Sequence, residues 1–218
     1  MHHNFWHERW TKNEIGFHLK DVNPFLKSHW DALGSSSDST VFVPLCGKSN
    51  DLLWLAERVK HVIGIELSQQ AIESFFSENK LTPEVTEGTC FIEYRHANIT
   101  LLCGDFFQLT KNDLASCQFV YDRASLIALP PQMRKDYAVK LNELLPNEKQ
   151  RLLLTIEYPE YEMSGPPHSV PPKEVQLLFA EELDIAILES KDILADSQRF
   201  KDKGVTSMQE HVFLLSRK

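Results

Sequence analysis

Residues 41–57 read VFVPLCGKSNDLLWLAE, and residues 61–67 read HVIGIEL. The first stretch is a β-branched and aromatic run, a turn at Gly47, and an apolar pattern at helical spacing from Asn50 to about Lys60. The second is a short continuous apolar run, as carried by a strand covered on both faces. Strand, turn, helix and strand in that order predict a parallel βαβ unit. Its turn holds a single glycine where the dinucleotide fingerprint G-x-G-x-x-G holds three. The other two positions carry bulk, and Pro44 stiffens the approach, so the loop does not suit a diphosphate.

Further strand and helix signals alternate outward from this unit. SQQAIESFFSENK reads as a helix with Ser68 as N-cap. CFIEYRH and NITLLC read as two strands that could pair as a hairpin around Ala97. FVYDRASL begins as a strand, and PQMRKDYAVKLNELL follows as a helix with Pro131 in its first turn. RLLLTIEY is the longest strand candidate. A Pro-rich crossover GPPHSVPP, a helix at VQLLFAEEL and two closing strands at DIAILES and EHVFLLS complete the chain. Counting strands near residues 41, 62, 100, 119, 152, 185 and 211 gives seven. The last two are joined by a loop alone, which predicts an antiparallel final strand. The fold class is therefore α/β: a Rossmann-like, doubly wound, seven-stranded, mostly parallel sheet with helices on both faces.

The whole chain, 1–218, reads as one domain. Residues 1–35 form a helical and aromatic N-terminal cover, and 40–218 form the core, with the polar breaker GSSSDS between them. In the cover, Trp6 and Trp10 stand at i and i+4 and share a helix face. The net charge of -8, with no basic run, argues against nucleic acid and anionic membrane surfaces as partners. The four cysteines lack C-x-x-C spacing, and no leader-like or membrane-spanning apolar run is seen, which together imply a reducing, cytoplasmic setting. The nine histidines show no ligand spacing, so no metal is expected.

In doubly wound sheets the ligand lies beyond the carboxyl ends of the strands. That edge collects Leu45 and Gly47, Glu66, Asp105, the Asp122-Arg123 pair and Glu157. Glu66 follows the first turn by about twenty residues, the spacing at which an acidic side chain accepts the hydroxyls of an adenosine ribose; the competing reading is a solvated residue capping the next helix. Asp105 or the backbone at Asp105 and Phe106 is placed to bond an adenine edge, with Phe106 or Phe107 against the ring and the other in the core. Asp122 and Arg123 are either a structural ion pair or a site in which Arg123 meets a carboxylate or a substrate anion. A nucleoside without a diphosphate fits this set, and S-adenosylmethionine is such a molecule, its ammonium suited to the Leu45 carbonyl.

WHERWTKNEIGFH, VFVPLCGKSNDLLWLAE, VIGIELSQQAIESFF, VYDRASLIALPP, the GPPHSVP turn and EHVFLL together resemble the thiopurine S-methyltransferase family, in order along nearly the whole chain. YDR stands where the family commonly has WDR. The resemblance implies a monomeric, cytosolic enzyme that moves the methyl group of S-adenosylmethionine to the sulfur of a small heteroaromatic thiol by in-line displacement. It places cofactor contacts at Trp6, Trp10, Leu45, Glu66, Asp105, Phe106 and Arg123, to which the reading of the loop adds the backbone of Gly47, and the catalytic assignment falls on Arg123. Acceptor contacts fall on Phe17, Pro166, Pro167 and Arg199. Competing readings are a methyltransferase for aliphatic thiols, halide, selenium or tellurium compounds, an NAD(P)-dependent oxidoreductase, and a non-catalytic nucleoside-binding module.

Overall fold

The computed structural model describes residues 3–16 and 18–218. Helices α1 (His3–Thr11) and α2 (Pro24–His29) form the cover, followed by a 3-10 turn at Trp30–Leu33. Asn23 caps α2, its side chain accepting from the N–H groups of Phe25 and Leu26. The core then runs β1 (Thr40–Val43), α3 (Asp51–Ala56), β2 (His61–Glu66) and α4 (Gln69–Glu78). Next come β3 (Glu84–Glu87), β4 (Ile92–His96), β5 (Ile99–Cys103) and β6 (Phe119–Arg123). The last part holds α5 (Ser125–Ala128), α6 (Pro131–Leu144), β7 (Gln150–Glu157), α7 (Pro172–Phe179), β8 (Leu183–Asp192), α8 (Gln198–Lys201) and β9 (Gln209–Arg217).

The strands form one sheet in the order β3-β4-β5-β2-β1-β6-β7-β9-β8. β5, β2, β1, β6 and β7 are parallel neighbours, and β9 lies antiparallel between β7 and β8. Seven strands are expected; the described residues form nine. β4 pairs antiparallel with β5 around Ala97, which sits at φ 48°, and β3 adds to β4. All four side chains of β3, EVTE, are exposed. A strand with no buried face carries no apolar alternation, so pairing alone defines it. The first core helix is also shorter than its apolar pattern, ending at Ala56 rather than near Lys60.

Side chains of β1 alternate across the sheet. Val41 and Val43 join Leu52, Leu55 and Phe75 on one face, while Phe42 joins Tyr137, Leu141 and Phe179 on the other. Full burial of each such side chain contributes roughly 1.5–3 kcal/mol. The chain winds from β1 through β2 to β5 in one direction, then returns to β6 and β7 on the other side of β1. The winding therefore reverses between β1 and β6, and the loops after those two strands flank the crevice.

Candidate functional site

Two left-handed residues shape the loop after β1: Leu45 at φ 44° and Gly47 at φ 55°. Leucine has no steric licence there, and such strain persists only where surroundings over-determine it. The Cys46 N–H, between them, donates to the Ile65 carbonyl of β2 at 2.9 Å. The Cys46 sulfur needs the bare backbone of β2 behind it, because a Cβ on Gly64 would stand 2.8 Å from that sulfur and 2.7 Å from Leu101.

Glu66 ends β2 and is 7 % exposed. Its Oε2 accepts from the Gly47 N–H at 3.0 Å, and its Oε1 accepts from the Ser68 N–H at 2.8 Å. Burial raises its carboxyl above the ordinary value, while the backbone donors at Ser68 and Gly47 pull the other way. A carboxylate offers about four acceptor positions, more than these backbone donors take up. One side chain thus ties the first turn to the second and still faces a cavity.

That cavity, of about 330 Å³, lies between the sheet edge, the cover and the late loop around α8. Trp6, Trp10, Leu45, Gly47, Glu66, Pro166, Pro167 and Arg199 all line it, so the fold brings together eight of the sequence-predicted residues from five separate segments. Trp10 covers the turn: a Cβ built on Gly47 would stand 3.3 Å from its ring. Arg199 donates through Nη1 to the Gly16 carbonyl, joining the late loop to the cover across the cavity.

Arg123 lies beside this cavity rather than in its lining. It borders a smaller one, of about 40 Å³, with His18, Lys48, Asp51 and Tyr121. Trp10, Leu45, Gly47 and Ala124 border both. The expected Asp122-Arg123 pair does not form a unit, because neighbours on a strand point to opposite faces. Asp122 is buried on the α6 side, accepting from the Tyr137 hydroxyl at 2.7 Å, and burial raises its carboxyl. Arg123 instead has its Nη1 4.0 Å from Asp51 Oδ2.

Asp105 and Phe106 lie outside the linings of both cavities. Asp105 caps the 3-10 turn at Phe106–Gln108, accepting from the Phe107 N–H at 2.9 Å. Of the two phenylalanines, Phe106 is the core member: it is 2 % exposed and packs on Tyr137 with ring centroids 4.8 Å apart. Phe107 is the half-buried member of the pair. Phe17 lies outside the described residues.

Several lining residues have no sequence signal. Arg9 and Glu14 form an ion pair at 2.9 Å beside the cavity, and Lys203 and Phe200 enter from the late loop. Ala124, at φ 69°, puts a third left-handed residue at the site. Asp51 carries no signal in the sequence beyond that of an acid at a helix start, although it is buried and faces Arg123.

The lining fits an adenosyl cofactor with an amino-acid tail: a buried carboxylate, a turn with two left-handed residues, tryptophan cover and an adjoining arginine. The profile of the family described as Thiopurine S-methyltransferase (TPMT) matches residues 1–218. A thiopurine S-methyltransferase of Pseudomonas fluorescens (strain SBW25) is 49% identical over 215 residues, covering 99% of each chain. One of Pseudomonas aeruginosa (strain LESB58) is 47% identical over 217 residues, covering 100% of each. In fold, the chain is similar to an S-adenosylmethionine-dependent methyltransferase of Anabaena variabilis, with a TM-score of 0.62, 15% identity, and coverage of 99% and 95%. The dinucleotide reading of the single-glycine loop thereby gives way, and the chain belongs to the thiopurine S-methyltransferase family.

Proposed function

We propose that this S-adenosylmethionine-dependent S-methyltransferase acts on planar heteroaromatic thiols, thiopurines among them, as a monomer in the cytoplasm. The composition of the cavity wall carries the reading. Trp6, Trp10, Phe200, Pro166 and Pro167 are flat, apolar surfaces, while Arg9, Arg199 and Lys203 are cations bordering the same space. Flat walls favour a planar ring, and nearby positive charge favours its thiolate over its thiol. A net charge of -8 and the lack, among the described residues, of a helix long and apolar enough to cross a membrane support a small-molecule acceptor.

When bound, S-adenosylmethionine supplies an electrophilic methyl group already activated by its sulfonium. The chain's residues bind and align. Glu66 takes the ribose hydroxyls on its remaining acceptor positions, the Leu45 carbonyl takes the ammonium, and Arg123 takes the carboxylate. Asp105 and the backbone at Phe106 serve the adenine edge, with Phe107 against the ring. Trp6 and Trp10 exclude water from above, and Pro166, Pro167 and Arg199 hold the acceptor. Alignment and a dry site account for much of the rate in such transfers.

An acceptor screen with methyl-labelled S-adenosylmethionine tests this, comparing heteroaromatic thiols, aliphatic thiols, halides, and selenium and tellurium oxyanions. Heteroaromatic thiols are expected to turn over fastest; faster methylation of a halide or metalloid would replace the acceptor assignment. Arg123→Ala is expected to lower kcat/KM by at least about tenfold, the scale of a lost charge-assisted contact. Unchanged activity would remove Arg123 from its role.

A further inference from the structure

The small cavity beside the first turn contains a buried carboxylate that the proposed contacts leave unused. Asp51 is 2 % exposed. Its Oδ1 accepts from the Asn23 N–H at 2.8 Å, and its Oδ2 accepts from the Tyr121 hydroxyl at 2.9 Å. Burial, and then the Asp51 charge, push the Tyr121 phenol well above its usual range, so it stays a donor. The same Oδ2 stands 4.0 Å from Arg123 Nη1. A buried carboxylate with only neutral donors is costly, and a neighbouring guanidinium offsets that cost. The guanidinium gains as much from the arrangement, because its long side chain is held to one side of β6.

We propose that Asp51 is a positioning residue that holds Arg123 over the small cavity, where the amino-acid tail of the cofactor is met, and away from the acceptor end. Arg123 sits on β6 immediately before Ala124, which borders both cavities. Asp51 and Tyr121 are both buried: the Tyr121 hydroxyl holds Oδ2, and the charge on Oδ2 draws Nη1 toward the small cavity. The carboxylate–guanidinium pair also matches a tail that carries an ammonium and a carboxylate. Asp51 has a second duty, since its Oδ1 anchors the backbone at Asn23, the residue that caps α2. The cover is thereby fastened to the same group that sets Arg123.

This inference rests on the role given to Arg123 above, and a double-mutant cycle separates the two. S-adenosylhomocysteine binding is measured by calorimetry on the full chain, on Asp51→Asn, on Arg123→Met and on the double variant. Asparagine keeps an acceptor for the Asn23 N–H and removes the charge. Asp51→Asn is expected to weaken binding about tenfold when Arg123 is present and less than about twofold when it is methionine, a coupling within the range for contacting residues. Equal losses in both backgrounds would make Asp51 purely structural and overturn the proposal. Unaltered binding in Arg123→Met would overturn it through Arg123 itself, while binding by the parent chain would leave the methyltransferase reading standing. If Asp51→Asn is too unstable to purify, Asp51→Glu, which keeps the charge but displaces it, takes its place in the cycle: coupled losses support the proposal and equal losses overturn it.

Discussion

On the sheet side of the cavity, Glu66 is 7 % exposed and bonded through both carboxylate oxygens to the backbone of two turns. On the cover side, Arg9 and Glu14 face each other at 2.9 Å with 37% and 52% of their side chains exposed. The first contact is shielded and ties the end of β2 to the loop after β1. The second is solvated, and Arg199, from the far end of the chain, bonds the Gly16 carbonyl of the same segment. On the proposed assignment, cofactor recognition is preorganised by the core, whereas acceptor recognition depends on two surface segments meeting. Preorganised polar groups add affinity without an ordering cost, and surface pairs contribute little in high dielectric.

Substitutions sharpen the contrast, beginning with the largest effect. Glu66→Ala removes the acceptors for both turns and for the ribose, and is expected to weaken cofactor binding roughly 100-fold by titration calorimetry, the scale of two charged hydrogen bonds. A loss below about threefold would show that the ribose is held elsewhere. Gly64→Ala forces a methyl group against the Cys46 sulfur and Leu101, and should cost about 1–3 kcal/mol in denaturant unfolding. Equal stability would mean that the loop after β1 yields freely.

Arg199→Ala should raise the acceptor KM about tenfold while leaving cofactor affinity within about twofold. A shift in cofactor affinity instead would break the division between the two sides. Glu14→Gln, in an exposed pair, is expected to change either constant by less than about twofold.

The pH dependence separates the sides further. The Glu66 carboxyl is raised by burial, so its ionised form, the competent acceptor, is lost on acidification earlier than for an ordinary carboxylate near 4.3. Cofactor affinity should fall as pH drops through that raised value, and calorimetry from neutral pH down to the ordinary carboxylate range reads the fall. The sign for folding is opposite. An acid whose folded value is raised contributes stability present below its unfolded value and lost as pH rises through the folded one. Affinity that did not decline before the ordinary carboxylate range would remove Glu66 as the ribose acceptor.

The sheet side is also the legible side. Apolar runs followed at once by polar residues mark Leu45, Glu66 and Arg123, because a strand's end and a ligand's place coincide in this topology. Such runs do not tell which face a strand-end residue takes, so Asp122 groups with Arg123 in the sequence although the two point apart in the fold. Arg9, Glu14 and Lys203 leave no trace, since surface charges at loop and helix positions follow no period. β3 escapes for the same reason as these charges: its existence is a matter of pairing to β4, not of burial. Asp51 is hidden behind an ordinary feature, an acid at a helix start, because its partners Asn23, Tyr121 and Arg123 lie far from it along the chain.

Trp10 and Gly47 are packed so closely that a side chain at 47 would require the ring at 10 to give way. The ring stands 3.3 Å from the point a Cβ at 47 would occupy, and the residue at 47 lies in the left-handed region. Any lineage that enlarges the residue at 47 must shrink or tilt the one at 10 as well. The two positions are expected to vary jointly, so that a Gly47→Ala defect is partly repaired by a smaller ring at position 10.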